Sequence, residues 1–220
     1  MSGPGQTGRE TTERVFSPKQ AALIIAATIA VVIVVGMTLG NLFFWGDLDQ
    51  TEATDRLILD TLEKVKADPN NPDYRVELGW AFLQNKEYDK ALVEFQNALK
   101  INERHWGAHV SLGYLYLEQE DYDKAIEHLK PVADANPRYF QASFFLGQAY
   151  LGKGDLQEAR AYMMRARDAD PASADARYYL GLIYERMGMK DEAIRQLETA
   201  LDFYPQMKEA QEALQRLKGE

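Results

Sequence analysis

The chain holds three histidines, and two of them, His105 and His109, stand four residues apart. On a helix that spacing sets two imidazoles on one face, an arrangement that grips a transition metal once a third ligand joins them. No neighbouring Asp, Glu, His or Cys completes such a set, so no metal site is expected, and His128 is expected to face solvent. The 34 carboxylates include no pair marked as desolvated, which general acid and base catalysis would need. A glycine-rich phosphate loop, a nucleophile elbow and an ordered Ser-His-Asp set are missing. With no cysteine, thiolate nucleophiles, disulfides and zinc-thiolate sites are missing too. The residues argue against an enzyme, with no cofactor and no small-molecule substrate.

Charge narrows the partners. The formal charge is −9 at pH 7, while the first twenty residues are slightly basic, so the acidity falls on the body of the chain. An acidic body without a basic stripe repels phosphates, which speaks against nucleic acid. Between Lys19 and Asp47 there is no charged residue, and residues 21–45, "AALIIAATIAVVIVVGMTLGNLFFW", would make a helix of roughly 37 Å. A hydrocarbon core of about 30 Å is crossed with length to spare. The run is too long for a cleaved secretory signal and ends in Leu42, Phe43, Phe44 and Trp45 rather than in small residues. It also lacks the processing Gly and early Glu of a type IV pilin leader. A single transmembrane helix over 21–45 is therefore expected, after a short tail over 1–20. Arg9, Arg14 and Lys19 precede the span, and Arg56 is the one basic residue soon after it. That bias keeps the N-terminus in the cytoplasm and puts everything after Gly46 in a periplasm or outside the cell. Gly36 and Gly40 give the span a small-residue spacing that could pack on another helix.

Beyond the span the sequence repeats. Leu78-Gly79, Leu112-Gly113, Leu146-Gly147 and Leu180-Gly181 recur every 34 residues. Ala91, Ala125, Ala159 and Ala193 keep the same step, as do Phe82, Tyr116, Tyr150 and Tyr184, and Pro137, Pro171 and Pro205 close successive units. At ordinary glycine usage of about 7%, three further glycines at preset positions have a chance of roughly one in three thousand. These columns resemble the tetratricopeptide repeat, a 34-residue helix-turn-helix unit. The resemblance implies an all-α superhelical solenoid of four repeats, 72–105, 106–139, 140–173 and 174–205. Each repeat would have an A and a B helix, with the Gly of A meeting the Ala of B where they cross. The family's large aromatic near the start of helix A is replaced by Arg75, His109, Ser143 and Arg177.

Single helix pairs cannot cover their apolar faces, so caps are needed at both ends. Residues 206–220 supply a C-terminal capping helix with Ala210, Leu214 and Leu217 on one stripe. Residues 46–71 supply a short linker, Gly46 to Leu48, and a capping helix with Leu57, Leu62 and Val65 on its apolar side. Pro131 lies inside a B helix, where it predicts a kink or an early end near Lys130.

The resemblance also implies a site. In this family the concave groove is lined by the fifth, ninth and twelfth positions of helix A. Here they are Val76, Trp80 and Leu83; Val110, Tyr114 and Leu117; Phe144, Gln148 and Leu151; Tyr178, Leu182 and Glu185. Nearly all are apolar or aromatic, where adaptors that grip a chaperone's carboxylate tail carry Lys, Arg and Asn, so no such clamp is expected. The expected partner is a protein or peptide segment, anchored by Trp80 and Tyr114. The layout is similar to tetratricopeptide accessory proteins of secretion and of cytochrome c maturation. Two alternatives are a permanent structural subunit that contacts its complex mainly through the membrane span, and a cytosol-facing receptor for targeted precursors.

Overall fold

The computed structural model describes residues 46–219. The tail, the apolar run 21–45 and Gly36 and Gly40 lie outside the described residues. Among the described residues no helix is long and apolar enough to cross a membrane. From Thr54 onward the chain forms one compact unit.

Ten helices follow one another among the described residues: α1 Gly46–Ala67, α2 Pro72–Gln84, α3 Tyr88–Ile101, α4 Trp106–Glu118, α5 Tyr122–Ala135, α6 Phe140–Lys153, α7 Leu156–Ala169, α8 Ala174–Arg186, α9 Lys190–Phe203 and α10 Lys208–Lys218. The A helices α2, α4, α6 and α8 start at the first residues of the four repeats read from the sequence. Helix α1 already begins at Gly46, so the three residues expected to form a linker are helical.

Local chemistry fixes these boundaries. Asn71, His105 and Ser173 precede A helices and accept hydrogen bonds from the backbone N–H of Asp73, Ala108 and Ala176, at 2.9, 3.0 and 3.1 Å, relieving donors that the first turn leaves unpaired. Every A helix ends the same way. Lys86, Glu120, Gly154 and Gly188, again 34 apart, take left-handed φ values of 59°, 58°, 90° and 75°. The next N–H then reaches back to the carbonyl of Phe82, Tyr116, Tyr150 or Tyr184, closing the turn before helix B. At the far end of three B helices, Asn102, Asn136 and Asp170 accept from the N–H two residues on and shape the turn into the next repeat.

The A–B crossing differs from the expected Gly–Ala contact. A Cβ added to Gly79, Gly113, Gly147 or Gly181 would meet Phe95, Leu129, Met163 or Leu197, with closest approaches of 2.4, 2.3, 2.9 and 2.7 Å. The glycine makes room for the large residue one turn after each alanine, because that side chain projects across the interface. The alanines Ala91, Ala125, Ala159 and Ala193 are themselves fully buried.

The column that lacks the family aromatic carries polar pairs. Arg75 donates to Glu94 at 2.9 Å, and His109 meets His128 with their Nδ1 atoms 3.2 Å apart. Arg177 lies over the ring of Phe203 and donates to the Pro171 carbonyl. His128 is thus half-buried between helices and stacked on Tyr116, not facing solvent as expected.

Helix α5 does not end near Lys130; it runs through Pro131 to Ala135, held by the buried Val132 and Ala133 of its last turns. In α1 the inward residues are Ile58, Thr61 and Val65, with Leu62 beside them, while Leu57 is exposed. Ile58 and Val65 share a core with Leu78 and Phe82, so α1 covers the first repeat. Helix α10 covers the last, with Ala210 and Ala213 buried against Leu197.

Candidate functional site: an aromatic ladder across the A helices

Successive A helices touch one another along the array, whereas no pair of successive B helices makes a comparable contact. The array therefore curves with its A helices on the inner side. Along that side runs a chain of rings. Trp80 stacks on Tyr114 with centroids 5.3 Å apart, and Tyr114 meets Phe145 at 5.1 Å. Phe145 meets Phe144 at 5.7 Å, Phe144 meets Tyr179 edge to face at 5.5 Å, and Tyr179 meets Tyr178 at 5.3 Å. These separations lie in the range where aromatic pairs attract beyond simple burial. One ladder of six half-buried rings thus connects α2, α4, α6 and α8.

The ladder is held from below. The indole N–H of Trp80 donates to Ser111 Oγ at 2.9 Å, and that hydroxyl donates to the Gly107 carbonyl at 2.8 Å. The edge of Trp80 also packs on Phe95. Burial raises the phenol pKa of Tyr114, Tyr178 and Tyr179 above the ordinary value. Nearby carboxylates push the same way: Glu118 on Tyr114, Glu209 on Tyr178, and Asp175 and Glu118 on Tyr179. At Tyr178 the Arg216 guanidinium opposes them.

At the C-terminal end the ladder opens into a cavity of about 560 Å³ between the start of α8 and the α9–α10 turn. Tyr178, Tyr179 and Tyr204 supply rings, Met207 is its buried apolar residue, and Asp175, Lys208 and Glu209 supply charge.

The residues expected to line the groove divide. Trp80, Tyr114, Phe144 and Tyr178 belong to the ladder. Val76 and Leu83 are half-buried against the first core, and Leu117 against the second. Gln148 is half-buried, and Leu182 packs beside the cap. Val110 and Leu151 are instead buried, each against the A helix of the following repeat, which makes them packing positions rather than contact positions. Glu185 is held by the Arg216 guanidinium through two bonds of 3.0 and 2.8 Å. Phe145, Tyr179 and Tyr204 were not among the expected positions. Phe145 and Tyr179 are themselves 34 apart, a column visible in the sequence. In the third repeat Gln148 replaces the ring at the Trp80 column, and Phe145, one turn earlier on the same face, takes over.

The two histidines four apart in sequence take different partners. His105 Nδ1 accepts from Ala108 and its Nε2 faces Asp73 at 3.0 Å, which separates it from His109. Among the described residues no group of three or more His, Asp or Glu is placed to hold a metal ion.

Comparison with known proteins agrees with this architecture. Residues 110–174 and 150–218 match two tetratricopeptide-repeat models, and residues 57–132 match the model for subunit 3 of the anaphase-promoting complex, the cyclosome. A stretch of 56 residues is 34% identical to the formate-dependent nitrite reductase complex bifunctional subunit NrfFG of Haemophilus influenzae, covering 26% of this chain and 15% of that protein. Among solved structures, MamA of Desulfovibrio magneticus superposes with a TM-score of 0.62 at 23% identity, over 70% of this chain and 88% of that one. A thermophilic tetratricopeptide protein of Thermus thermophilus gives 0.57 at 28% identity, over 66% and 80%. YrrB, described as having an unusual peptide-binding site, gives 0.61 at 22% identity, over 76% and 87%. The periodic glycines, the shared turn geometry and these matches together show that the helical array is built of tetratricopeptide repeats.

Proposed function

We propose that this chain is a membrane-anchored tetratricopeptide scaffold that binds a protein segment on its inner face and performs no chemistry of its own. One observation carries the reading: a continuous ladder of half-buried rings crosses all four A helices and ends in an open cavity. Ordinary core packing is served by the leucine, alanine and glycine columns, whereas large rings left partly in water concentrate binding energy when a partner covers them. The apolar run 21–45 supports anchoring in a cytoplasmic membrane, with the repeats on the periplasmic or outer side. The short likeness to NrfFG supports a role in assembling a membrane-associated complex, as an accessory factor that presents or recruits a client.

Photocrosslinking tests this directly. A benzoylphenylalanine at Tyr114 or Phe144 in the full-length chain is expected to capture a discrete partner in intact cells. The same probe at Val93, which is 51% exposed on α3, is expected to capture none. Equal adducts from both faces would reject the inner face as the docking surface.

A further inference from the structure

We infer that the segment docking on the ladder, if that reading of the inner face holds, is a basic one: a protein segment with apolar side chains along the rings and a lysine or arginine side chain entering the cavity at Tyr178, Tyr179 and Tyr204. The apolar part of this preference follows from the ladder. The cationic part follows from what surrounds its end.

Two carboxylates, Asp175 and Glu209, line the cavity beside its three phenol rings. Among the described residues neither makes an ion pair, and neither does Glu118, whose charge reaches both Tyr114 and Tyr179. Glu118 is the last residue of α4, where the helix dipole already presents negative charge and no basic residue lies in the final turn. A carboxylate without a cation there costs the free protein a little and is relieved by an incoming one. Arg216, whose charge also reaches Tyr178 and opposes that of Glu209 there, is held by Glu185 through two bonds and is not among the cavity residues. Lys208 lies on the rim as the one cation among the cavity residues, against two carboxylates.

Ring geometry points the same way. Tyr178 and Tyr179 meet edge to face, with planes 66° apart, so they offer differently oriented faces, and Tyr204, 52% exposed, offers a third ring. Aromatic faces attract cations, more strongly when water is partly excluded, and a guanidinium or ammonium finds both ring faces and carboxylate oxygens here. An acidic or phosphorylated segment would meet repulsion at the same place.

The test uses full-length protein in detergent micelles and three short fluorescein-labelled peptides read by anisotropy. The first carries leucine and phenylalanine along one face and arginine at one end, the second has glutamate in place of arginine, and the third has serine in place of leucine and phenylalanine. The arginine peptide is expected to bind at least about tenfold more tightly than the glutamate copy, with a preference that shrinks as salt is raised. The double variant Asp175→Asn with Glu209→Gln is expected to bring the two peptides within about twofold while lowering the thermal melt only slightly, since both carboxylates sit in the first turns of their helices and complement the helix dipoles there. Tyr204→Ala, at an exposed position, is expected to weaken the arginine peptide alone. Equal binding of the first two peptides, or a preference that survives the double variant, overturns the cation site while the ladder stands if the serine copy binds poorly. A serine copy that binds as tightly as the first overturns the ladder itself, and failure of all three peptides overturns both.

Discussion

At the scale of single residues, His109 and His128 show how a position that breaks the repeat pattern acquires its own chemistry. His109 Nε2 faces the Glu103 carbonyl at 3.0 Å, and a carbonyl only accepts, so that nitrogen carries the hydrogen. In the neutral pair His109 Nδ1 is then the acceptor, and His128 Nδ1 donates to it across 3.2 Å. Adding a proton to each ring would set two N–H groups against one another. Burial, followed by the neighbouring His109, lowers the His128 pKa below its ordinary 6.5. The unfolded chain therefore takes up the proton first as pH falls, and binding more protons in the unfolded state lowers stability. The His128 contribution is full above about pH 6.5 and is lost as pH falls from there through the lower folded value. Thermal melts between about pH 7.5 and 5 should show wild-type stability declining on the acid side and His128→Gln declining less. Parallel curves would remove this role. The sequence showed His105 and His109 as the notable pair because they are close in the chain. The pair that forms joins residues 19 apart, across two helices, and only the way A packs on B reveals it.

At the scale of elements, the turn between helices A and B is one design used four times with unequal residues. Its left-handed position is Gly at 154 and 188 but Lys at 86 and Glu at 120. An L side chain in that region carries a steric penalty of about 1–2 kcal/mol, partly offset because glycine leaves the unfolded chain freer. Glu120→Gly should therefore gain about 0.5–1 kcal/mol and raise Tm by about 2 °C. The reciprocal Gly154→Ala should lose about 1 kcal/mol. Nothing lies within 4 Å of the Cβ it adds, so its loss would be conformational rather than steric. A melt of Glu120→Gly unchanged or lowered would count against this account of the turn. The A helices begin at Pro72, Trp106, Phe140 and Ala174, where the 34-residue step in the sequence sets the repeats, because that step transfers each boundary to the next. The inward face of α1 was not. That helix belongs to no complete repeat, and Ile58 rather than Leu57 turns inward because it must meet Leu78 and Phe82. The early end expected at Pro131 fails for a related reason: burial of Val132 and Ala133 keeps the last turn helical despite the missing donor.

At the scale of the whole array, stability should be a sum of neighbouring contacts, because each repeat packs chiefly on the next. Four cores succeed one another along the chain: the first includes α1, and the last is formed by α8, α9 and α10. That succession could be read from the columns, whereas the split of inner-face positions between ladder and core could not. Val110 and Tyr114 are both large, apolar-compatible residues one turn apart, and only the approach of α6 buries the first and leaves the second half in water. Deleting residues 208–220 puts the succession to a test. Removing α10 uncovers Tyr178, Leu182, Leu197 and Leu201, along with the apolar area that Leu214 and Leu217 had covered, a loss of about 3 kcal/mol confined to the end of the array. Amide exchange should then quicken in α8 and α9 while α2 to α5 keep their protection, as local opening follows local contacts. Exchange that quickens evenly from α2 to α9 would mean the repeats fold as one indivisible unit. The docking site would feel the deletion first, since its cavity is built from α8, the turn before α10 and the first two residues of α10, Lys208 and Glu209. The cap therefore stabilises the fold and also positions the rings at the end of the ladder, so its loss should weaken partner capture before it unfolds the repeats.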